Sequence, residues 1–377
     1  MVRPWEICQA IYIHIPFCRH KCCYCDFTSY QGQSETVQER YTEALCREIR
    51  TCRPGLPVSP RATVYFGGGT PTCLSLSCLT RIVAALKDAG FWQQPAEATV
   101  EANPGTLSPD FLQALRRLGF DRLSLGVQSL QADELQRMGR IHTAEEARQA
   151  FLEARDAGFR RISTDLIYGY PGQTAASVED TLQRLLAWQP DHVSVYGLSV
   201  EPGTVLAARL DQGVWQLPDE EETGRMYDLV MDGLPAKGYA RYEISNFARS
   251  GQESLHNEVY WRYEPYLAFG AGACRFDGKK RETAPRGLYA YMKGEPAEVE
   301  VLSPDIRREE LVFMNLRTAR GLDLAVYEER TGEPLSRRYG KALEKLAARK
   351  WLVLEDGRIH LTPLGMRYGN LAFEEFI

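Results

Sequence analysis

The sequence predicts an α/β fold: a partial (β/α)6 TIM-like barrel, then an added mixed region and a small C-terminal winged-helix-like α+β domain. Three observations carry this. Apolar strand-like runs alternate with amphipathic helical ones from residue 10 to about residue 200. Six such units can be counted, short of the eight that close a full barrel, so the barrel is expected to stay open. From Ser303 on, the pattern changes to helices followed by a hairpin.

The strands read, in order, Ala10–Ile15, Thr63–Phe66, Ala98–Ala102, Arg122–Val127, Arg161–Ile167 and His192–Leu198. Between them lie amphipathic stretches at Val37–Arg50, Leu79–Leu86, Pro109–Leu118, Ala144–Ala157 and Ala176–Trp188. Strands separated by helical periods make parallel βαβ units, whose ligands sit at the C-terminal strand ends. Asp219–Leu234 reads as a helix and Arg241–Ile244 as a strand. An aromatic stretch follows from His256 to Phe276. Arg308–Leu316 and Arg337–Arg349 read as helices. Trp351–Leu354 and Arg358–Leu361 form a hairpin about the Asp356-Gly357 turn. The expected division is 1–235 for the barrel, 236–302 for the extension and 303–377 for the C-terminal domain.

A chain of 377 residues with 45 Lys and Arg against 50 Asp and Glu carries a net charge of −5. That balance gives no electrostatic footing for nucleic acid, and the winged-helix-like domain lacks a basic recognition helix. An interaction or lid module is expected there instead of DNA binding. The ten cysteines do not form an extracellular disulfide framework: four sit within residues 18–25 and the other six follow no pairing pattern. With no apolar leader at the start and no run approaching a membrane span, the expected location is cytoplasmic. Peripheral membrane contact stays open.

Cys18, Cys22 and Cys25 form a C-x3-C-x2-C triplet in the loop after the first strand. Three thiolates in one short loop can hold three irons of a [4Fe–4S] cube, leaving the fourth iron open to a small molecule. A zinc site would want a fourth protein ligand, and a redox pair would need only Cys22 and Cys25. Cys23 reads as a bystander. The second signal is Gly67-Gly68-Gly69-Thr70-Pro71, directly after a strand. Glycines there let the backbone approach a ligand closely and present its N–H and C=O groups.

In order along the chain, YIHIPFCRHKCCYCDF, YFGGGTPT, VEANPG, RLSLGVQS, STDLIYGYPGQT and YEISNFA resemble signature segments of the radical S-adenosylmethionine superfamily. Within it they resemble the oxygen-independent coproporphyrinogen III oxidase-like proteins. The resemblance implies that Cys18, Cys22 and Cys25 bind a [4Fe–4S] cluster whose open iron is chelated by the methionyl amino and carboxylate groups. It also implies that Tyr12 and Tyr24 line the S-adenosylmethionine pocket and that Gly68, Gly69 and Thr70 meet the methionyl group. Glu101 and Gln128 would stand at later strand ends, with Arg140 neutralising a carboxylate and Asp165 serving a ribose or amino group. A cationic zwitterion wants both signs of charge, as this set supplies.

Two features divide the family. The oxidase branch continues its cysteine motif to a fourth cysteine where this chain has Phe27, and it carries a longer arm than the nine or so residues before the first strand here. The segment His256-Asn257-Glu258-Val259-Tyr260-Trp261 resembles the HNxxYW motif of the heme chaperone branch. The resemblance then implies heme as cargo, with His256 or Tyr260 as iron ligand and nearby aromatics covering the porphyrin. Apo-hemoproteins would be the clients. A flavodoxin-type electron donor would be needed for radical chemistry, and a homodimer stays open. The rival is coproporphyrinogen III decarboxylation by an oxidase.

Overall fold

The computed structural model describes residues 3–377. Six strands open the barrel: β1 (Cys8–Ile15), β2 (Val58–Gly68), β3 (Ala98–Ala102), β4 (Arg122–Gln128), β5 (Arg161–Tyr168) and β6 (His192–Gly197). They lie side by side in chain order, each parallel to the next. The helices between them are α1 (Glu35–Thr51), α2 (Leu76–Asp88), α3 (Pro109–Leu118), α4 (Ala132–Met138), α5 (Ala144–Asp156) and α6 (Ala175–Leu186). Ser34, Ser75, Ser108, Thr143 and Thr174 cap five of them by accepting from the third helical N–H, which is why these helices start where they do.

Alternation along the strands sorts the two faces of the sheet. Ile11, Ile13, Val64, Phe66, Val100, Leu123, Leu125, Ile162, Val193 and Val195 belong to the main apolar core. The intervening residues Tyr12, His14, Tyr65, Glu101, Ser124, Asp165 and Tyr196 point the other way, into the barrel. The chemistry is therefore carried on the face opposite the helices.

The mixed region is not a separate sheet. After α7 (Val205–Asp211) and α8 (Glu220–Ala236), the strand expected at 241–244 is displaced. The strand that pairs with β6 is β7 (Asn246–Ala248), antiparallel, with the short strand Ala240–Arg241 outside it. Helix α9 (Leu255–Trp261) then leads into β8 (Tyr266–Phe269), which lies parallel beside β1 as a seventh parallel strand. Three antiparallel strands, β9 (Cys274–Phe276), β10 (Lys280–Thr283) and β11 (Glu298–Val301), extend the sheet outward from β8. The twelve-stranded sheet stays open.

Residues beyond 303 carry the helices Pro304–Leu316, Leu324–Thr331 and Leu335–Ala348, with a three-stranded sheet of Leu322–Asp323, Arg358–Leu361 and Leu352–Glu355. A second apolar core ties them to the extension: Tyr263 and Phe276 pack with Leu311, Val312, Leu316, Leu346 and Phe373. Among the described residues no helix is long and apolar enough to cross a membrane.

Candidate functional site

At the C-terminal ends of the parallel strands lies a cavity of about 440 Å³. Cys18, Cys22 and Cys25 line it together with Tyr24, Gly68, Gly69, Thr70, Glu101, Gln128, Arg140 and Asp165. Eleven of the positions singled out from the sequence thus converge on one space. Strands β2 to β6 contribute at or near their tips, and β1 through the cysteine loop that follows it.

The Gly67–Thr70 turn brings the backbone against the cysteine loop. Thr70 N donates to the Phe17 carbonyl at 2.7 Å and Gly69 N to that of Ile15 at 2.9 Å. Gly68 has φ +113°, and a Cβ on it would stand 2.5 Å from the His14 ring, so this position requires glycine. Gln128 also has a positive φ, 68°, at the end of β4, where the β4–β5 register shifts. Such a conformation in a residue with a side chain is strained, and here the side chain faces the cavity.

Polar contacts lock the cysteine loop to later strand ends. Arg140 Nη1 donates to Cys22 Sγ at 3.3 Å, and Thr70 Oγ1 donates to Cys18 Sγ at 3.7 Å. Asn103 joins the two: its amide donates to Thr70 Oγ1 at 2.8 Å, while its carbonyl oxygen accepts from Arg140. Asn103, Ser124 and Tyr196 were not singled out in the sequence, although Asn103 lies within VEANPG. Its neighbour Pro104 reads as turn chemistry and hides a side chain that faces the site.

The carboxylates are buried. Glu101 accepts from Tyr65 OH at 2.7 Å and from Gly68 N at 3.1 Å. Burial nevertheless pushes its carboxyl up to about 7. Asp165 accepts from Ser124 Oγ at 3.1 Å, and burial outweighs its serine partners to raise it as well. Burial likewise pushes the Cys18 thiol up to about 11 and raises Cys25. Gln128 Oε1 and Arg140 Nε are buried without a hydrogen-bond partner. The donor set fits the expected groups: three thiols in one loop for iron, a guanidinium for a carboxylate, two carboxylates for cationic centres.

A second cavity of about 600 Å³ adjoins the first, and Asp26, Phe27, Gly68 and Glu101 line both. Its wall carries a group of aromatic residues, Tyr12, Tyr260, Trp261, Tyr263, Tyr266 and Phe276, with the carboxylates of Glu101 and Glu264 and the guanidinium groups of Arg281 and Arg286 also present. Tyr12 therefore lines this neighbouring cavity and not the cysteine-lined one, its hydroxyl 3.0 Å from His14 Nδ1. The reason is strand geometry: Tyr12 lies six residues before the cysteine loop, too far down β1 to reach the strand ends.

His256 lines neither cavity. It is 1% exposed, with Nδ1 2.8 Å from Thr63 Oγ1 and Nε2 2.8 Å from Tyr260 OH. Its ring stacks on Tyr65 at 4.9 Å, and burial together with nearby Arg122 lowers its pKa to about 3, so it is neutral. The expectation that His256 offers a nitrogen to heme iron thus meets a ring with both nitrogens engaged. Tyr260, the other expected ligand, faces the second cavity.

The comparisons agree with this architecture. Residues 12–185 match the Radical SAM superfamily and residues 302–368 the HemN C-terminal domain. The heme chaperone HemW of Bacillus subtilis is 36% identical over 98% of this chain and 99% of its own length. The chain belongs to the HemW family of radical SAM proteins. Radical S-adenosyl methionine domain-containing protein 1 of Bos taurus, mitochondrial, is also 36% identical, over 85% of this chain and 70% of its own. In fold, coproporphyrinogen III oxidase (HemN) from Escherichia coli superposes with a TM-score of 0.84 at 25% identity, covering 99% of this chain and 91% of that one. Membership of the radical SAM superfamily implies a [4Fe–4S] cluster and S-adenosylmethionine.

Proposed function

We propose that this protein is a heme chaperone that binds a [4Fe–4S] cluster, S-adenosylmethionine and heme, and delivers the heme to apo-hemoproteins. The observation that carries the reading is the pair of adjoining cavities, one lined by three cysteines and the other by aromatic side chains. Cys18, Cys22 and Cys25 would hold the cluster. Arg140 would orient the methionyl carboxylate, Glu101 and Asp165 the cationic and hydroxyl groups, and the Gly68–Thr70 backbone would seat the ligand. Once bound, the cluster and S-adenosylmethionine supply one-electron chemistry, for which a flavodoxin-type donor would be the reductant. Tyr24, stacked edge-on against Tyr170 at 6.2 Å, would shield this space from water.

The second cavity suits a flat tetrapyrrole in size and in its aromatic lining. Arg286, exposed at the rim, suits a propionate. A cytoplasmic setting accords with the free cysteines.

The fold similarity to coproporphyrinogen III oxidase favours one second reading, porphyrinogen decarboxylation. Phe27, where the oxidase branch has its fourth cysteine, speaks against it, and Phe27 stands 64% exposed at the wall between the cavities. The deciding experiment is anaerobic. On one cluster-reconstituted preparation, heme binding and coproporphyrinogen decarboxylation are assayed together. Stoichiometric heme uptake without decarboxylation is expected; decarboxylation with S-adenosylmethionine consumption would return the chain to the oxidases.

A further inference from the structure

We infer that the second cavity reads the two edges of a tetrapyrrole: Arg286 takes an edge that carries propionates, and the end at Arg281 takes an edge without carboxylates. The cavity then holds protoporphyrin-type rings, with propionates on one edge only, and rejects coproporphyrin, which carries them on both. The inference rests on the heme reading above and says which porphyrin that reading admits and which way round it lies.

The backbone sets the two ends apart. β10 pairs with β9 so that Arg281 stands opposite Phe276. The pairing runs on past β10: Ala284 N donates to the Ala273 carbonyl at 2.9 Å, and Gly272 N to that of Pro285 at 3.1 Å. Gly272, Ala273, Cys274 and Phe276 all line the cavity, so this run of chain lies along its length. Arg281 and Arg286 line it too, and their spacing on an extended chain puts their backbones ~16 Å apart.

The two guanidinium groups are not equivalent. Arg281 is committed to protein carboxylates: Nη2 donates to Glu310 Oε2 at 2.5 Å and Nη1 to Glu300 Oε2 at 3.3 Å. Tyr263 OH donates to the same Glu310 oxygen at 2.7 Å. Glu264, next to Tyr263 in the chain, adds another carboxylate to the wall, paired with Arg262 at 3.2 Å. A propionate brought to this end would lose its water, find no free donor and meet like charge. A vinyl or methyl group would find Tyr263, Phe276 and Met314. Arg286 differs. It is exposed, and among the described residues no carboxylate pairs with it. Its backbone carbonyl accepts from Tyr30 OH at 2.8 Å, which holds the residue at the rim. The remaining carboxylates, Asp26 and Glu101, lie on the wall shared with the first cavity. The planar fork of Arg286 can take a carboxylate through two parallel hydrogen bonds.

Protoporphyrin IX has propionates on two adjacent rings and vinyls on the other two. Coproporphyrin III has propionates in place of those vinyls, so only protoporphyrin suits both ends. The test titrates the full chain with metal-free protoporphyrin IX, mesoporphyrin IX (ethyls in place of vinyls) and coproporphyrin III, which removes any axial bond to iron from the comparison. Wild type should bind the first two alike and coproporphyrin at least about tenfold more weakly. Arg286→Gln should weaken protoporphyrin by about tenfold, and Arg286→Lys should recover most of that loss. Glu310→Gln, which releases Arg281 from its nearest carboxylate, should strengthen coproporphyrin binding and leave protoporphyrin near wild type. S-adenosylmethionine binding, unchanged in each variant, reports an intact fold. Equal affinity of the wild type for protoporphyrin and coproporphyrin would overturn the inference and leave the heme reading standing. So would protoporphyrin binding unaltered by Arg286→Gln, or a preference unaltered by Glu310→Gln. If no porphyrin binds the wild type, the heme reading fails and the inference with it.

Discussion

Glu101 is one of the residues that line both cavities, and its carboxyl is held up at about 7 by burial. The sign of the effect follows. Between its ordinary value of 4.5 and about 7, the folded protein binds a proton that the unfolded chain does not, so stability falls as pH rises through that window. Above pH 7 the full cost, ~3 kcal/mol, is present. Glu101→Gln should therefore leave the apoprotein's melting behaviour near wild type at pH 5 and raise it above wild type at pH 8. Thermal melts at the two pH values check this, and a wild type that gains stability toward pH 8 would refute it. A cationic ligand facing Glu101 favours the ionised carboxylate, so S-adenosylmethionine affinity should fall as pH drops below 7. Asn103, which links Thr70 to Arg140, gives a second prediction. Asn103→Ala should weaken S-adenosylmethionine about tenfold by calorimetry with little loss of fold, since it removes hydrogen bonds at the cavity wall.

At the scale of elements, α9 decides what the second cavity presents. Ser254 caps it, and Glu97, 0% exposed, accepts from Leu255 N at 3.3 Å and His256 N at 3.2 Å. The same carboxylate pairs with buried Arg122 at 3.4 Å and with Arg161 at 3.2 Å. Glu97→Ala strips the partner from a buried guanidinium and releases the helix start, so it should cost ~3–5 kcal/mol in denaturant unfolding. Loss of heme uptake by the second cavity, if that cavity takes heme as proposed, should accompany it. This element also shows where the sequence was legible. The six barrel strands and their helices announce themselves through apolar alternation and helical period, as in Arg122–Gln128, where Leu123, Leu125 and Val127 fall at every second position. The region 241–269 does not. β8 is four residues long without alternation, and its pairing beside β1 is a contact across the whole chain. The structure sets Tyr12 in the neighbouring cavity, which a motif cannot show, because it gives order along the chain and not height along a strand. The choice between His256 and Tyr260 as iron ligand stays open in the sequence, which shows a histidine among aromatics but not which way its nitrogens point.

At the scale of the molecule, the C-terminal domain forms part of the second cavity. Met314 lines it, and Glu310 accepts from Tyr263 OH at 2.7 Å and from Arg281 at 2.5 Å. The domain boundary near 303 was read from composition, but this wall joins residues far apart in sequence and could not be. Met314→Trp should fill the cavity from the domain side, lowering protoporphyrin binding while S-adenosylmethionine binding is unchanged; equal loss of both would contradict a divided site. The central claim is that one chain holds two ligands in separate, adjoining cavities. The most direct measurement is an anaerobic titration of ferric heme into cluster-loaded protein, with and without saturating S-adenosylmethionine. The account predicts one heme per chain in both cases, with S-adenosylmethionine remaining bound. Displacement of one ligand by the other in proportion would mean a single shared site and would contradict it.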